Sequence, residues 1–457
     1  MRLLHFSFRI LKKETKSSLL YIFYLVLSIM AINVVTNLYL NPTYILRANE
    51  ALVLCGNTAF KVNMTNTTTI INQADILIDG NMVFIASPYT IWLAVVCVVL
   101  LVANAHNYFL YDKHQMMGIM KLSGCGYKEI FTYLITQTFT LLMIALPFGI
   151  ILGSLGFEIF YYFFCYQIGI PYSFGNCSST AIIYTFIIVI VLIFYLAIIT
   201  VGFVSRYEVK ELILYKDSLH REQEYQKMLD YSISGMIPLM IVAILFVRIF
   251  ISYQELDLMA GYSIFSYGFF IGSIIKKCLV PFITQLRKKK YINDKIMLAT
   301  LSFVNLNMLR LNGLTRLLGG TITCAIYYMG RYFEYKTDFM FFYLMFLIYT
   351  ILAILAILYQ MMMEAKSRTS TLKQLNKLGY TKADITKIIK KEVLITISIV
   401  GCIGFMYAGL ILHSSLINKY MSVNLIMQYI LIYVSLLCLV AMMAYLNYTN
   451  IISKQFD

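Results

Sequence analysis

The sequence predicts an all-α polytopic membrane protein: ten transmembrane helices, set out as two parallel four-helix repeats with a two-helix linker, N- and C-termini cytoplasmic. Three observations carry that expectation. Of 457 residues, 60% are hydrophobic and only 13% charged, and apolar runs of about 20 residues, the length that crosses a hydrocarbon core, recur along the chain. Basic residues gather between alternate runs, as the preference of Lys and Arg for cytoplasmic loops requires. A polar elbow between two apolar runs also occurs twice, at a constant offset of 255 residues that places Gly124 on Gly379, Glu129 on Asp384, Ile130 on Ile385 and Gly149 on Gly404.

Hydropathy places the spans at 19–41, 89–111, 132–155, 180–204, 233–253, 258–275, 311–330, 339–363, 392–413 and 425–447. The first follows a basic segment carrying Arg2, Arg9, Lys12, Lys13 and Lys16 and is too long for the core of a cleaved signal peptide, so it reads as a retained anchor. With both termini inside, 31 of the 37 Lys and Arg fall on the cytoplasmic side or its edge, and only Arg47, Lys61, Arg248, Arg331, Lys336 and Lys419 lie outside or near the outer face. An odd number of missed spans would destroy that ratio.

The net charge of +15 is therefore a topology signal. Nucleic-acid binding is excluded as a reading, because no soluble face gathers the basic residues with aromatic platforms. Nine cysteines are scattered without a CxxC pair. Cys165 and Cys177 share an outer loop and could form a disulfide, although an isolated Cys commonly serves as a small hydrophobe.

Before the first span, Phe6 to Lys16 alternates apolar and basic groups as an interfacial helix does. The design returns before the seventh span, with Ser7 matching Ser302, Phe8 matching Phe303 and Leu11 matching Leu306. Residues 1–204 and 298–457 thus read as parallel four-span halves, with 205–297 holding spans five and six as a linker. Such a repeat implies a pseudo-two-fold axis along the membrane normal. The outer loop 42–88 is expected to be a small cap with a strand or two, and the loop 156–180, aromatic-rich and free of Lys and Arg, to form an interfacial belt. Inner loop 205–230 mixes charges as a solvated connector, and Lys276, Lys277 and Arg287–Lys290 suit the anionic inner leaflet.

The sequence carries no GxxxxGK[ST] phosphate loop, no HExxH and no GxSxG, so neither nucleotide binding of that kind nor zinc or serine hydrolysis is indicated. The five histidines are too dispersed to suggest a metal site. Within the spans the clearest ionisable group is Arg248, a candidate contact for substrate or lipid phosphate, although an arginine near a span end more commonly snorkels to the headgroups. Few midplane carboxylates means little support for ion-coupled transport.

The elbows remain: Met116 to Ile130, and Thr371 to Ile385. Each pairs a short amphipathic helix with a glycine break and a second polar turn. Gly118-Ile-Met-Lys-Leu-Ser-Gly-Cys-Gly-Tyr-Lys-Glu-Ile130 and Leu375-Asn-Lys-Leu-Gly-Tyr-Thr-Lys-Ala-Asp-Ile385 resemble the inner-loop signature of FtsX-like ABC permeases. The resemblance implies a non-catalytic permease subunit without a cofactor of its own, whose loops are coupling helices seated in a cytoplasmic ABC ATPase, two copies per permease, that binds the ATP. On that reading Gly118, Lys121, Gly124, Gly126, Tyr127 and Glu129 form the first coupling elbow, and Lys373, Asn376, Gly379, Lys382 and Asp384 the second, with Glu392 as the family's acidic residue opening the following span. The matching position in the first half is Gln137.

Ten spans in two such halves resemble the bacitracin-resistance branch, but the large outer domain of that branch is replaced here by Arg331–Asp338. The resemblance implies a bacterial cell membrane and export or extraction of an amphipathic peptide or lipid-linked substrate. Mechanotransmission to an extracytoplasmic enzyme or a sensor kinase, with no substrate moved, is the alternative. Membrane lipids are expected partners of either.

Overall fold

The computed structural model describes residues 15–42, 44, 77–78, 81–82, 88–168, 171–172, 174–175, 177–206, 271–331, 336–417 and 423–456. Arg248, the fifth span, most of the sixth, the N-terminal interfacial segment and the connector 207–230 lie outside the described residues. Helix α1 covers Thr15–Leu40, and a two-residue hairpin, β1 Leu77–Ile78 with β2 Asn81–Met82, lies in the outer loop. It falls where a strand or two was expected. Then come α2 (Pro88–Asp112), α3 (His114–Leu122), α4 (Tyr127–Ile168) and α5 (Ser179–Arg206). After a π-helical turn at Ile274–Leu279 follow α6 (Val280–Lys289), α7 (Lys295–Arg331), α8 (Lys336–Ser367), α9 (Thr369–Lys377), α10 (Lys382–Ile417) and α11 (Val423–Phe456).

Among the described residues six helices are long and apolar enough to cross a membrane: α1, α2, α4, α5, α8 and α11. The expected seventh and ninth spans fall on α7, which carries Arg310 and Arg316, and on α10, which opens with the charged turns Lys382 to Glu392 before an uncharged apolar stretch from Val393. They pack along each other, and α1 packs along α4 in the same manner.

The two sets of helices repeat their contacts. α1 touches α2, α4 and α5; α7 touches α8 and α10, and α11 joins α8 and α10. Across the middle α2 meets α8, α1 meets α8, and α2 meets α7. The apolar stretch of α8 is 72% buried and that of α1 67%, against 22% for α11 and 28% for α4. So α1 and α8 are central, and the outward faces of α4, α5 and α11 expose side chains such as Phe148, Ile151, Phe194, Ile198, Leu431 and Met442, which suits lipid contact.

Close helix approach has a sequence cause. Gly149 and Gly153 are spaced as a small-xxx-small pair in α4, and a Cβ on them would lie 2.6 Å from Ile29 Cβ and 2.7 Å from Asn33 Cβ of α1. Gly404 of α10, offset from Gly149 by the repeat distance, approaches Leu318 of α7 to 2.9 Å by the same measure. Polar ties run beside these contacts: Tyr21 and Thr200 hydrogen-bond the two ring nitrogens of His106 at 2.9 and 3.0 Å, joining α1, α2 and α5.

One sequence expectation needs correction. The second outer loop was placed at 156–180, yet α4 continues to Ile168. No residue from Phe157 to Ile168 breaks a helix, and length alone had suggested a stop. At about 1.5 Å per residue the 42-residue α4 is about 63 Å long, twice a hydrocarbon core. Its outer end carries a stacked aromatic cluster: Phe157, Phe160, Tyr161 and Phe164 surround Tyr44, with Tyr44 and Phe164 centroids 5.1 Å apart. Tyr162, Phe163 and Tyr166 stay exposed, so only part of the run has the character of a belt. Buried Glu158 accepts from Tyr172 Oη at 2.9 Å and from the Gly175 N–H at 3.1 Å, folding the following segment back. Cys165 and Cys177 are not joined in a disulfide, and Cys177 contacts the Ser154 carbonyl.

Candidate functional site: the paired elbows

Each elbow is a nine-residue helix closed by a left-handed glycine and followed at once by a long helix. The first runs from α3 through Gly124 into α4, the second from α9 through Gly379 into α10. Their backbones coincide in detail. The residues before the helices, Lys113 (φ −90°, ψ −1°) and Arg368 (φ −88°, ψ 0°), are themselves 255 apart, and Ser123 and Leu378 close the helices at ψ 7° in both. Gly124 takes φ +85° and Gly379 φ +92°, a region that residues with a Cβ rarely enter.

The closing bonds repeat as well. Gly124 N–H donates to the Lys121 carbonyl at 3.1 Å and Cys125 N–H to that of Met120 at 3.0 Å; Gly379 donates to Asn376 at 3.0 Å and Tyr380 to Leu375 at 3.2 Å. This double bond to the last turn satisfies carbonyls the helix would otherwise leave open. Next, the Gly126 N–H donates to Glu129 Oε2 at 3.0 Å, and the Thr381 N–H to Asp384 Oδ2 at 3.2 Å. In the second elbow Thr381 Oγ1 also accepts from the Asp384 N–H at 3.1 Å, completing a capping box that Gly126, without a side chain, leaves half-made. The Thr381 backbone N–H first and the Thr381 hydroxyl second, each bonding the carboxylate, hold the Asp384 carboxyl below the usual carboxylate range.

Both elbows rest on apolar inner faces, Met117, Met120 and Ile130 in one and Leu372 and Ile385 in the other. They are also tied to neighbouring helices. Lys121 reaches the Val204 carbonyl at the end of α5 at 3.5 Å and lies 4.7 Å from the Tyr127 ring centroid. Tyr380 Oη donates to the Lys295 carbonyl at 3.2 Å, and Lys295 Nζ stands 3.8 Å from Asp384 Oδ2. That last pair is largely solvated, so its contribution is small.

Of the residues singled out from sequence, Gly124, Gly126, Tyr127, Glu129, Lys373, Asn376, Gly379 and Lys382 are exposed on the knobs, with Asp384 beside them. Gly118 is buried against the bundle and Lys121 is partly so. Glu392 lies elsewhere: it is 1% exposed, two and a half turns into α10, among partners the sequence did not single out. Arg368 Nη1 donates to Glu392 Oε1, and its Nη2 to Asn307 Oδ1 and, at 2.9 Å, to Glu364 Oε2. Asn307 Nδ2 donates to Glu392 Oε1 at 2.7 Å and lies 3.3 Å from Thr396 Oγ1; Gln360 Nε2 donates to Glu364 Oε1 at 3.0 Å. The guanidinium also sits 5.0 Å from the Phe303 ring centroid.

This buried node fastens the start of the second elbow to α7, α8 and α10 together. A signal existed in the sequence: Glu364 and Arg368 are spaced i, i+4, and Arg368 repeats the basic character of Lys113. The first elbow is seated differently. Lys113, 1% exposed, lies 5.4 Å from the Phe109 ring centroid, Phe109 occupies the position of Glu364, and Gln137, in place of Glu392, donates to Tyr133 Oη at 2.9 Å. Among the described residues no three His, Cys, Asp or Glu side chains gather as a metal site requires.

Residues 90–209, which hold α2, the first elbow, α4 and α5, match the family described as FtsX-like permease C-terminal. The match supports an FtsX-like assignment and with it a permease-type role in an ABC transporter, a family whose members are generally non-catalytic membrane subunits that pair with cytoplasmic ATPases. It fits the multi-pass membrane architecture of the helices. The second elbow lies outside the matched stretch, and its kinship with the first rests on the offset and the backbone geometry above. No curated protein matches the chain.

Proposed function

We propose that this chain is the permease subunit of an ABC transporter, with ten spans in two FtsX-like halves, 1–204 and 298–457, joined by 205–297. The observation that carries the reading is the pair of elbows: two rigid knobs of the same backbone geometry, each continuous with a helix long enough to cross the membrane. An ATPase dimer that closes on ATP draws the knobs together. α4 starts directly after the first turn, carries Pro147 within its length and packs on α1 through Gly149 and Gly153, so the pull passes to the packed α1–α4 pair, whose outer end holds the aromatic cluster. The load we assign is an amphipathic peptide or lipid-linked molecule taken from the outer leaflet, in the manner of the bacitracin-resistance branch without its large outer domain.

The test is purification of the tagged chain from its own membranes in lipid discs, with mass-spectrometric stoichiometry. Wild type is compared with Leu122→Asp plus Lys377→Glu, two exposed elbow positions. Two ATPase subunits per permease, lost in the variant, and ATP turnover that responds to amphipathic peptides, support the reading. Recovery of an intact permease with no ATPase refutes it.

A further inference from the structure

Between Ile271 and Arg316 the chain holds nine Lys and Arg against one acidic residue, Asp294. Two elements carry most of them side by side. The π-helical turn and α6 run antiparallel to α7: Arg287 Nη1 donates to Ser302 Oγ at 2.9 Å near one end, and Gly272 meets Arg316 near the other.

Arg316 stands apart from the rest of this basic group. It is the last charge of α7 before an uncharged run from Leu317 to Gly330. Its half-buried side chain turns back along α7, and Nε donates to Asn312 Oδ1 at 3.0 Å. That direction leads to the end of α7 whose Lys295 carbonyl meets Tyr380 of the second elbow. Among the described residues the Asn312 bond is the one hydrogen bond of Arg316, and no carboxylate pairs with it. The guanidinium lies across Gly272: a Cβ there would stand 2.0 Å from Nη2, 2.1 Å from Cζ and 2.2 Å from Nε. Only glycine leaves room for that seat. A cation partly withdrawn from water is costly unless an opposite charge and hydrogen bonds offset the lost hydration. One neutral amide supplies no counter-charge and leaves both Nη groups as donors.

The surroundings select the kind of acceptor that fits. Lys276 and Lys277, four and five residues on from Gly272, return to the face that carries it, because π turns close between residues i and i+5. Ile274 and Leu317 beside them are apolar and half-buried, and a Cβ on Gly320, one turn beyond Arg316, would meet nothing within 4 Å. An acyl chain has room along that side of α7. A guanidinium fork matches the oxygens of a phosphate, and basic pockets between helices at the cytoplasmic side hold anionic headgroups. We infer that Arg316, seated on Gly272 and flanked by Lys276 and Lys277, binds the phosphate of an anionic phospholipid from the leaflet on the elbow side. The site needs only the membrane architecture and is independent of any ATPase.

Native mass spectrometry of the full chain in neutral detergent, titrated with dioleoyl phosphatidylglycerol or dioleoyl phosphatidylcholine, tests this. The wild type is expected to retain one phosphatidylglycerol at collision energies that strip phosphatidylcholine. Arg316→Gln weakens that retention roughly tenfold or more, because a charge-assisted pair is lost. Arg316→Lys, which keeps the charge without the fork, falls between. Lys288→Gln with Lys289→Gln removes more charge from exposed positions nearby and leaves retention unchanged. Equal losses in that control and in Arg316→Gln mean diffuse attraction to the leaflet and overturn the inference, as does a wild type that holds both lipids alike. Gly272→Ala, which moves the guanidinium and keeps its charge, must also weaken phosphatidylglycerol selectively, and it serves if Arg316→Gln fails to fold. Excess inorganic phosphate is expected to leave the lipid bound; if it displaces the lipid and raises the melting temperature as much, the site takes a soluble anion and the lipid assignment is wrong.

Discussion

Replacing Arg368 by Met removes the cation that bridges Glu364 and Glu392, whose side chains are 7% and 1% exposed. Breaking a buried ion pair by deleting one partner costs about 3–5 kcal/mol, because the survivor keeps its desolvation penalty without its counter-charge. There is a ceiling. A stranded carboxylate can take up a proton, and for a Glu with an unfolded pKa near 4.3 this costs about 3.7 kcal/mol at pH 7, since each pH unit is worth about 1.36 kcal/mol. With two carboxylates stranded the ceiling is about 7 kcal/mol, so the expected loss for Arg368→Met stays at about 3–5 kcal/mol at pH 7. The sign follows from linkage: a carboxyl held neutral in the folded state is protonated more readily there than unfolded, so the deficit grows as pH rises above about 4.3 and shrinks toward it as pH falls. A neutral replacement, Arg368→Met with Glu364→Leu and Glu392→Leu, removes both charges and recovers most of the loss. Equilibrium unfolding in lipid discs at pH 5 and pH 7 measures all of this. A single variant no worse than exposed Lys373→Ala, or a deficit independent of pH, would refute a charge-coupled node and leave simple packing as its explanation.

Gly124→Ala and Gly379→Ala meet no atom within 4 Å, so the cost of each is backbone strain alone, about 1–2 kcal/mol, with Asn better tolerated than Ala; unfolding of the variants compared pairwise checks it. Gly272→Ala puts a Cβ about 2 Å from the Arg316 guanidinium, which is bound to Asn312 at 3.0 Å, so the arginine must leave that bond; Asn312→Ala should then cost less stability in the Gly272→Ala background than in wild type, which a double-mutant cycle reads. Gly153→Leu forces α4 away from α1 and lowers stability by about 2 kcal/mol or more, whereas the same change at exposed Gly202 is close to neutral. Asp384, whose carboxyl is held low by Thr381, stabilises the second elbow above its unfolded pKa and loses that role as pH falls through its lower folded value. Amide exchange at the start of α10 should quicken in acid, and Asp384→Asn should abolish the pH dependence.

How much of this was legible beforehand follows from what each signal depends on. Spans are set by summed apolarity, which a sequence states directly, and the ends of α1, α2, α5 and α8 fall close to the hydropathy boundaries, as does the start of α11, which runs on to Phe456. The ends of α4, α7 and α10 do not, because a helix continues wherever nothing breaks it, whether or not lipid surrounds it. Polar turns of Lys382 to Lys391 and the aromatic turns after Phe157 are helical for that reason. The elbows were legible because glycine at a fixed offset reports a left-handed turn, a local property. Glu392 was noticed by position but its surroundings were not: its partners come from α7 and α8, and no local pattern states that Asn307, Glu364 and Arg368 converge.

That convergence bears on how force would pass. A knob transmits motion only as well as it is fixed to its lever, and the two knobs are fixed by different physics. The second is joined to three helices by charge-assisted hydrogen bonds, directional and strong in a water-poor setting, so α7, α8 and α10 must move with Arg368 or break the node. The corresponding first-half positions hold Lys113 over Phe109 and Gln137 bound to Tyr133, and Lys121 reaches the end of α5. A pull on the second elbow is therefore passed to three helices at once. Arg368→Met, which breaks the node, should loosen that coupling. Spin-label distances between α8 and α10 would broaden in distribution if it does, and an unchanged distribution would show that the node does not set the rigidity.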